Sequence, residues 1–217
     1  PLIEARMNDA GNQVADYLNT QLWTNGVNGT INPDGFPLMA QATGIYGNID
    51  GTPAGNSWWR ANVRTATGNP TRLLVLRDII SASKFSGGEY PNIGIMGPGT
   101  WELLSEDFLG LEAYMITPQQ SFDQANLGAR SGFTALMVGG VPIYSDLACP
   151  EGQLLLFNTR YFAAYIHEAA AFVFTGFAST IPNNQLGYTG VLVCALQFVL
   201  AKRKTMSITT GYSFNVV

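Results

Sequence analysis

From Gly26 to Pro70 neither a helical nor a strand period persists, although regular patterns flank the stretch on both sides. Gly, Asn, Pro and Thr dominate it, with turn signals at Asn28-Gly29, Asn32-Pro33-Asp34-Gly35 and Gly51-Thr52-Pro53. So long an aperiodic stretch is uncommon inside a compact domain and is usually functional or part of a contact surface. Its aromatics (Phe36, Tyr46, Trp58 and Trp59) argue against disorder. Within it, Gly47-Asn48-Ile49-Asp50 and Trp58-Trp59-Arg60 bring together turn residues, one carboxylate, two indoles and a guanidinium. That set suits an anchoring contact between surfaces, because Trp and Arg bury large areas and make directional polar contacts. The plainer reading is a long loop with two core tryptophans. Asp50 is expected to form a local salt bridge or a loop-closing hydrogen bond. Asp50, Trp58, Trp59 and Arg60 are the candidate contact residues.

The flanks are regular. Ile3, Met7, Ala10, Val14, Leu18 and Leu22 recur at three- and four-residue spacing, which predicts an amphipathic opening helix stopped by Asn25-Gly26. A second helix is predicted after Asn69-Pro70-Thr71, through Leu73, Leu76, Ile79 and Ile80 to about Ser83-Lys84. Ile93 to Met96 reads as a short buried strand, Gly97-Pro98-Gly99-Thr100 as a helix-opening turn, and Trp101 to about Ser105 as a third helix. Helix, strand, glycine turn and helix indicate a compact α/β layer. From Phe133 strands dominate: Phe133–Val138, Val141–Tyr144, Leu154–Phe157, Phe172–Phe177, the long run Val191–Leu200, and Met206–Thr210. Turns are expected at Gly139-Gly140 and at Pro182-Asn183-Asn184.

Of the 217 residues 47% are hydrophobic and only 12% charged, about half the usual ~25%. A chain this poor in charge is expected to hide much of its surface against partners. The formal net charge of −4 argues against tight nucleic-acid binding, which needs clustered Lys and Arg. The one basic run, Lys202-Arg203-Lys204, reads as a strand or turn flank. Two cysteines, Cys149 and Cys194, do not make a stapled scaffold and are expected to be reduced. Val191–Ala201 is too short to span a membrane, and Tyr161–Phe177 carries His167 and Glu168 at its middle; both read as buried elements of a soluble protein. No signal peptide is visible, and a start at Pro1 without an initiator Met reads as a piece of a longer chain.

No catalytic, cofactor-binding or metal-binding set emerges. Gly94-Ile95-Met96-Gly97-Pro98-Gly99 lies where phosphate-cradling loops lie, but its spacing is wrong and Pro98 removes an N–H. His167 is the single histidine, without a nucleophile elbow or a cysteine ligand beside it, and reads as structural or interfacial. Glu102 and Glu106, four apart, read as a solvated helix face, with Asp107 and Glu112 further along. Asn28-Gly29-Thr30 matches the glycosylation acceptor, a triplet that arises often by chance.

Several segments, in order along most of the chain, resemble the major capsid proteins of tailed bacteriophages, whose Hong Kong 97-like fold is shared with encapsulin shells. Gly47-Asn48-Ile49-Asp50 with Trp58-Trp59-Arg60 is similar to the Gly-Gly-Ile-Asp and Trp-Arg signature of one branch, Asn48 replacing the second glycine. Leu73 to Glu106 resembles its helix, strand and helix. Phe133-Thr134-Ala135-Leu136, Gly140-Val141-Pro142-Ile143 and Asp146 resemble its "Gly-Phe…Leu…Gly-x-Pro…Asp" strands, and Leu156-Phe157-Asn158 with Tyr161 its "Leu-Asn-x-x-Tyr" element. The resemblance implies an α+β fold with the opening helix as spine of a peripheral domain (residues 1–70), an axial domain (71–160) and return strands of the peripheral domain (161–217). It implies an N-terminal arm and extended loop ahead of the spine helix. It also implies a non-enzymatic subunit, located in the virion capsid and assembled in the host cytoplasm. Such a subunit would form hexameric and pentameric capsomers with itself, meet portal and scaffolding proteins, and enclose double-stranded DNA without sequence-specific binding. Two alternatives stand beside it: an encapsulin-like shell, and an α/β hydrolase or ligand-binding domain using Gly94–Gly99 and His167.

Overall fold

The computed structural model describes residues 2–24, 32–115, 135–179 and 188–214. The opening helix is α1 (Leu2–Leu22). Only its end is anchored: Gln21 and Trp23 are buried, whereas residues 6–13 stand exposed. The expected stop at Asn25-Gly26 lies outside the described residues.

The aperiodic stretch holds more regular structure than its composition suggests. A one-turn helix, α2 (Phe36–Met39), is followed by a minimal hairpin of β1 (Ile45–Tyr46) and β2 (Ile49–Asp50). Gly47 and Asn48, with φ of 59° and 61°, form its two-residue turn, the primed type that matches strand twist. Asn tolerates this left-handed region better than other side chains, so Asn48 serves where a second glycine would. A 3₁₀ segment, Ala54–Trp59, leads into β3 (Asn62–Gly68). No apolar alternation announces β3, because its inward side chains are polar and satisfied. Asn62 donates to Ser207 Oγ at 3.0 Å, and Arg64 pairs with Asp78.

The second helix is α3 (Arg72–Ser86); Thr71 accepts from the Leu74 N–H, and Gly87, at φ 86°, closes the helix in the left-handed region. Next come β4 (Ile93–Met96) and α4 (Pro98–Met115), longer than the third helix expected from sequence. Then follow β5 (Leu136–Val138), β6 (Val141–Ser145) and β7 (Gln153–Phe157). The predicted Val191–Leu200 strand is in fact two: β8 (Phe162–Ile166) pairs with β11 (Leu196–Leu200), and β9 (Val173–Ser179) with β10 (Tyr188–Val193). The chain closes on β12 (Ser207–Tyr212).

Six strands form one sheet in the order β3-β12-β7-β4-β6-β5. β12 runs parallel to β3 and antiparallel to β7, so the last strand lies inside the sheet. Alternation along β7 divides the core in two. Leu154 and Leu156 point to α3 and α4, meeting Val75, Ile79, Ala82 and Leu104. Leu155 and Phe157 point to the other face, meeting Trp23, Phe36, Met39, Tyr46, Phe198 and Leu200. Each of these fully buried leucines contributes roughly 1.5–3 kcal/mol. Tyr212, buried under α3, donates to Asp78, which ties β12 to that helix.

Candidate assembly surfaces

β8 to β11 form one long antiparallel ribbon that leaves the sheet. Leu200 pairs with Phe162 and Leu196 with Ile166; further out Val193 pairs with Val173 and Ser179 with Tyr188. Between these halves six residues, His167 to Phe172, face only Cys194 and Ala195. His167 N–H donates to Ala195 O and Ala195 N–H to Ala170 O, each at 2.9 Å, holding the bulge together. Phe172 sits there at φ 55°, an uncommon conformation for a bulky residue.

Sequence alone reads these strands as buried elements; that holds at the base, where Phe198 and Leu200 lie in the core, and the structure corrects it further out. Tyr165 is 64% exposed, Phe177 54% and Val191 52%, and Ile166, Phe172, Val173, Phe174 and Val193 are exposed as well. A two-stranded ribbon has no third strand or helix to cover it and is marginal in water by itself. Glu168 is the one Asp, Glu, Lys or Arg within residues 162–179 and 188–200, with the single histidine, His167, beside it. A contiguous apolar, nearly uncharged surface of this kind is a candidate interaction surface.

The base of the ribbon is pinned firmly. Tyr161 donates to Glu89 at 2.6 Å, Lys202 lies 3.4 Å from the same carboxylate, and Ala201 N–H reaches Tyr161 O at 2.9 Å. The Tyr161 hydroxyl, with Lys202 and Arg160 nearby, holds the Glu89 carboxyl below its ordinary range.

The Gly47–Arg60 loop is brought together as a unit. Arg60 Nε donates to Gly51 O at 2.7 Å, and its Nη2 to Thr52 O at 2.8 Å and Pro53 O at 3.2 Å. Asp50 forms the loop-closing hydrogen bond, accepting from Thr52 N–H at 2.8 Å, which lowers its pKa. Trp59 donates to Tyr46 O at 2.9 Å and stacks on that ring. Trp58 packs against Trp59 but remains 52% exposed. Thus Asp50, Trp59 and Arg60 rigidify the loop, and Trp58 is the side chain it offers outward.

Two anchors escaped the sequence reading of residue roles. Arg203, read as a strand or turn flank, is fully buried. Its guanidinium donates to Met39 O at 2.9 Å, Leu38 O at 3.0 Å and Gly44 O at 3.3 Å, and lies over the Tyr46 ring. These include the free carbonyls at the end of α2, where a cation is favoured. The available signal was its place directly between two apolar strands. Asp146, noted only within a strand motif, accepts from Trp23 Nε1 at 2.8 Å, Asn19 Nδ2 at 2.9 Å and Ala148 N–H at 3.0 Å. It joins the end of α1 to the end of β6.

The Gly94–Gly99 turn already holds an anion of its own. Glu151 accepts from Gly99 N–H at 2.9 Å and from Thr100 N–H and Oγ1 at 3.0 Å each, occupying the position a phosphate would take at the start of α4. His167 is exposed, and its Nδ1 accepts from Ala169 N–H at 3.2 Å as a local cap. A groove between α2 and the sheet, lined by Pro37, Ala40, Val63, Pro150, Gln153 and Ile208 among others, presents no titratable side chain. Among the described residues no three His, Cys, Asp or Glu side chains gather to hold a metal ion, and no helix is long and apolar enough to cross a membrane. Burial and the nearby Asp146 and Glu151 charges push the Cys149 thiol pKa far up, away from nucleophilic use.

No family model and no curated protein sequence matches the chain. Solved structures do. The cyanophage A-1(L) capsid subunit superposes with a TM-score of 0.67 at 17% identity, covering 98% of this chain and 70% of that one. The capsid of the empty GTA particle gives 0.58 at 12% identity over 98% of this chain and 73% of that one. An encapsulin from Synechococcus elongatus gives 0.58 at 12% identity over 99% and 68%. Identities this low speak for architecture, and the architecture matches nearly end to end. The chain has the Hong Kong 97-like fold of phage capsid and encapsulin subunits.

Proposed function

We propose that this chain is a structural subunit of an icosahedral virus capsid, self-assembling into hexamers and pentamers that enclose double-stranded DNA. The observation that carries this reading is the outer part of the ribbon, where Tyr165, Ile166, Phe172, Val173, Phe174, Phe177, Val191 and Val193 stand exposed. Burying them against neighbouring copies would supply the driving force for assembly. The shell fold, the low charge and the absence of a recognisable catalytic set among the described residues support a structural, non-enzymatic role.

On this reading residues 1–70 and 161–217 serve as the peripheral domain and 71–160 as the axial domain. Trp58 makes the outward contact of the Gly47–Arg60 loop, with Asp50, Trp59 and Arg60 holding it in shape. Portal and scaffolding proteins are the further partners, and the virion, built in the host cytoplasm, is the location.

Electron microscopy and sedimentation velocity of the full-length protein expressed alone test the proposal. Closed shells or ring-shaped capsomers are expected; a uniform monomer under every assembly condition would refute it. The second reading, an encapsulin-like shell, draws on the equal fit to the encapsulin and GTA capsid structures. The contents of purified shells decide between them: nucleic acid supports the capsid, an enclosed enzyme the encapsulin.

A further inference from the structure

The solvent face of α3 carries its own pattern, separate from the ribbon. Leu73, Arg77, Ile80 and Lys84 recur at helical spacing along one stripe, with Leu73 58% and Ile80 42% exposed. Arg77 and Lys84 are exposed, seven positions and so about 10 Å apart along the axis at ~1.5 Å per residue. Neither has a partner among the described residues. Lys204 adds a third cation beside the stripe, over the Phe85 ring. On α4, Glu106 is exposed and likewise without a partner among the described residues, and Asp107 beside it is exposed while capping Arg72 N–H at 2.8 Å.

We propose that the basic, apolar stripe of α3 in one copy docks on the acidic face of α4 in a second copy. The inference rests on the self-assembly proposed above and names one of its contacts. Opposite charge selects α4 as occupant, because like-charged docking of α3 on α3 would set Arg77 and Lys84 against themselves. Leu73 and Ile80 supply the apolar area that such a contact needs. Two different patches on one subunit make a head-to-tail contact, the kind that builds a ring when the rotation between copies closes.

Charge exchange on the full-length protein tests this. Arg77→Glu with Lys84→Glu, and separately Glu106→Lys, change only exposed side chains, so both variants should melt with the wild type. Each alone is expected to raise the concentration needed for assembly by about tenfold or more. An equimolar mixture should assemble better than either variant alone, since a reversed helix meets an opposite partner wherever the two variants alternate, at every contact of a six-membered ring and at all but one of a five-membered ring. A mixture no better than its components, or an α3 variant that assembles normally, overturns the contact while leaving shell formation standing. Normal assembly with loss of retained DNA would assign the stripe to the genome instead, which also overturns it. A wild-type chain that never assembles removes this inference together with the proposed function. Arg77→Ala with Lys84→Ala should show a smaller assembly defect than the reversal; an equal or larger one counts against charge pairing.

Discussion

Arg203 Nε donates to the carbonyl oxygen of Met39 at 2.9 Å, across 164 positions of sequence. The guanidinium sits among backbone carbonyls, and burial lowers its pKa. Arg203→Met keeps much of the volume but leaves the carbonyls of Leu38 and Met39 without the guanidinium donor, while Gly44 O keeps only the Gly51 N–H. A loss of about 3 kcal/mol or more is expected in denaturant melts, since a hydrogen bond to a charged group contributes ~1.5–3 kcal/mol. Arg203→Lys should lie in between, because one ammonium cannot replace a fork. A Met variant as stable as wild type would show that the anchor contributes nothing net.

Asp146 is the joint between α1 and the sheet. Asp146→Ala removes the acceptor of Trp23 and Asn19 together and should cost about 2–4 kcal/mol. In a double-mutant cycle with Trp23→Phe the two losses should overlap by ~1 kcal/mol. Strict additivity would mean that the pair does not interact.

Asp34 gives the fold a pH dependence of determinate sign. Partial burial raises its carboxyl above the ordinary 3.8, against a smaller opposing hydrogen bond from Gln197. A raised folded pKa means that the protonated form is preferred in the fold. The resulting stability is present below pH 3.8 and lost as pH rises through the folded value. Asp34→Asn should therefore be more stable than wild type at neutral pH, with the gap closing in acid. Melting temperatures that track each other across the whole pH range would count against this.

If the ribbon is the assembly contact proposed above, variants in it separate folding from assembly. Phe177→Ser with Val191→Ser alters two exposed side chains, removes the edge-to-face contact of Phe177 with Phe174, and should change subunit stability by only about 1–2 kcal/mol. Sedimentation should nevertheless show weaker assembly. Unimpaired shells from this variant would place the assembly contacts elsewhere.

The sequence announced α1 and α3 because their apolar residues repeat with the helical period, and β4 to β7 because short apolar runs stand between turn residues. Thr71 and Gly87 even mark the ends of α3. It concealed β3, whose core-side residues Asn62 and Arg64 are polar and answered by Ser207 and Asp78 from distant segments. It misplaced the ribbon for a related reason. Apolar alternation states that a strand will be covered, without stating that the cover belongs to the same chain. The loop signature was legible as a group, yet the inward duty of Arg60 depended on carbonyls whose orientation only the folded turn sets.

The position of β12 between β3 and β7 bears on the order of events in synthesis. Strand β3 reaches the sheet only through β12, so the early third of the chain waits, unpaired along that edge, until residues 207–212 have left the ribosome. Such long-range pairing is slow to form. A nascent or truncated chain without residues 207–212 lacks the strand that joins β3 to β7, and with it the link between the early and late segments of the sheet.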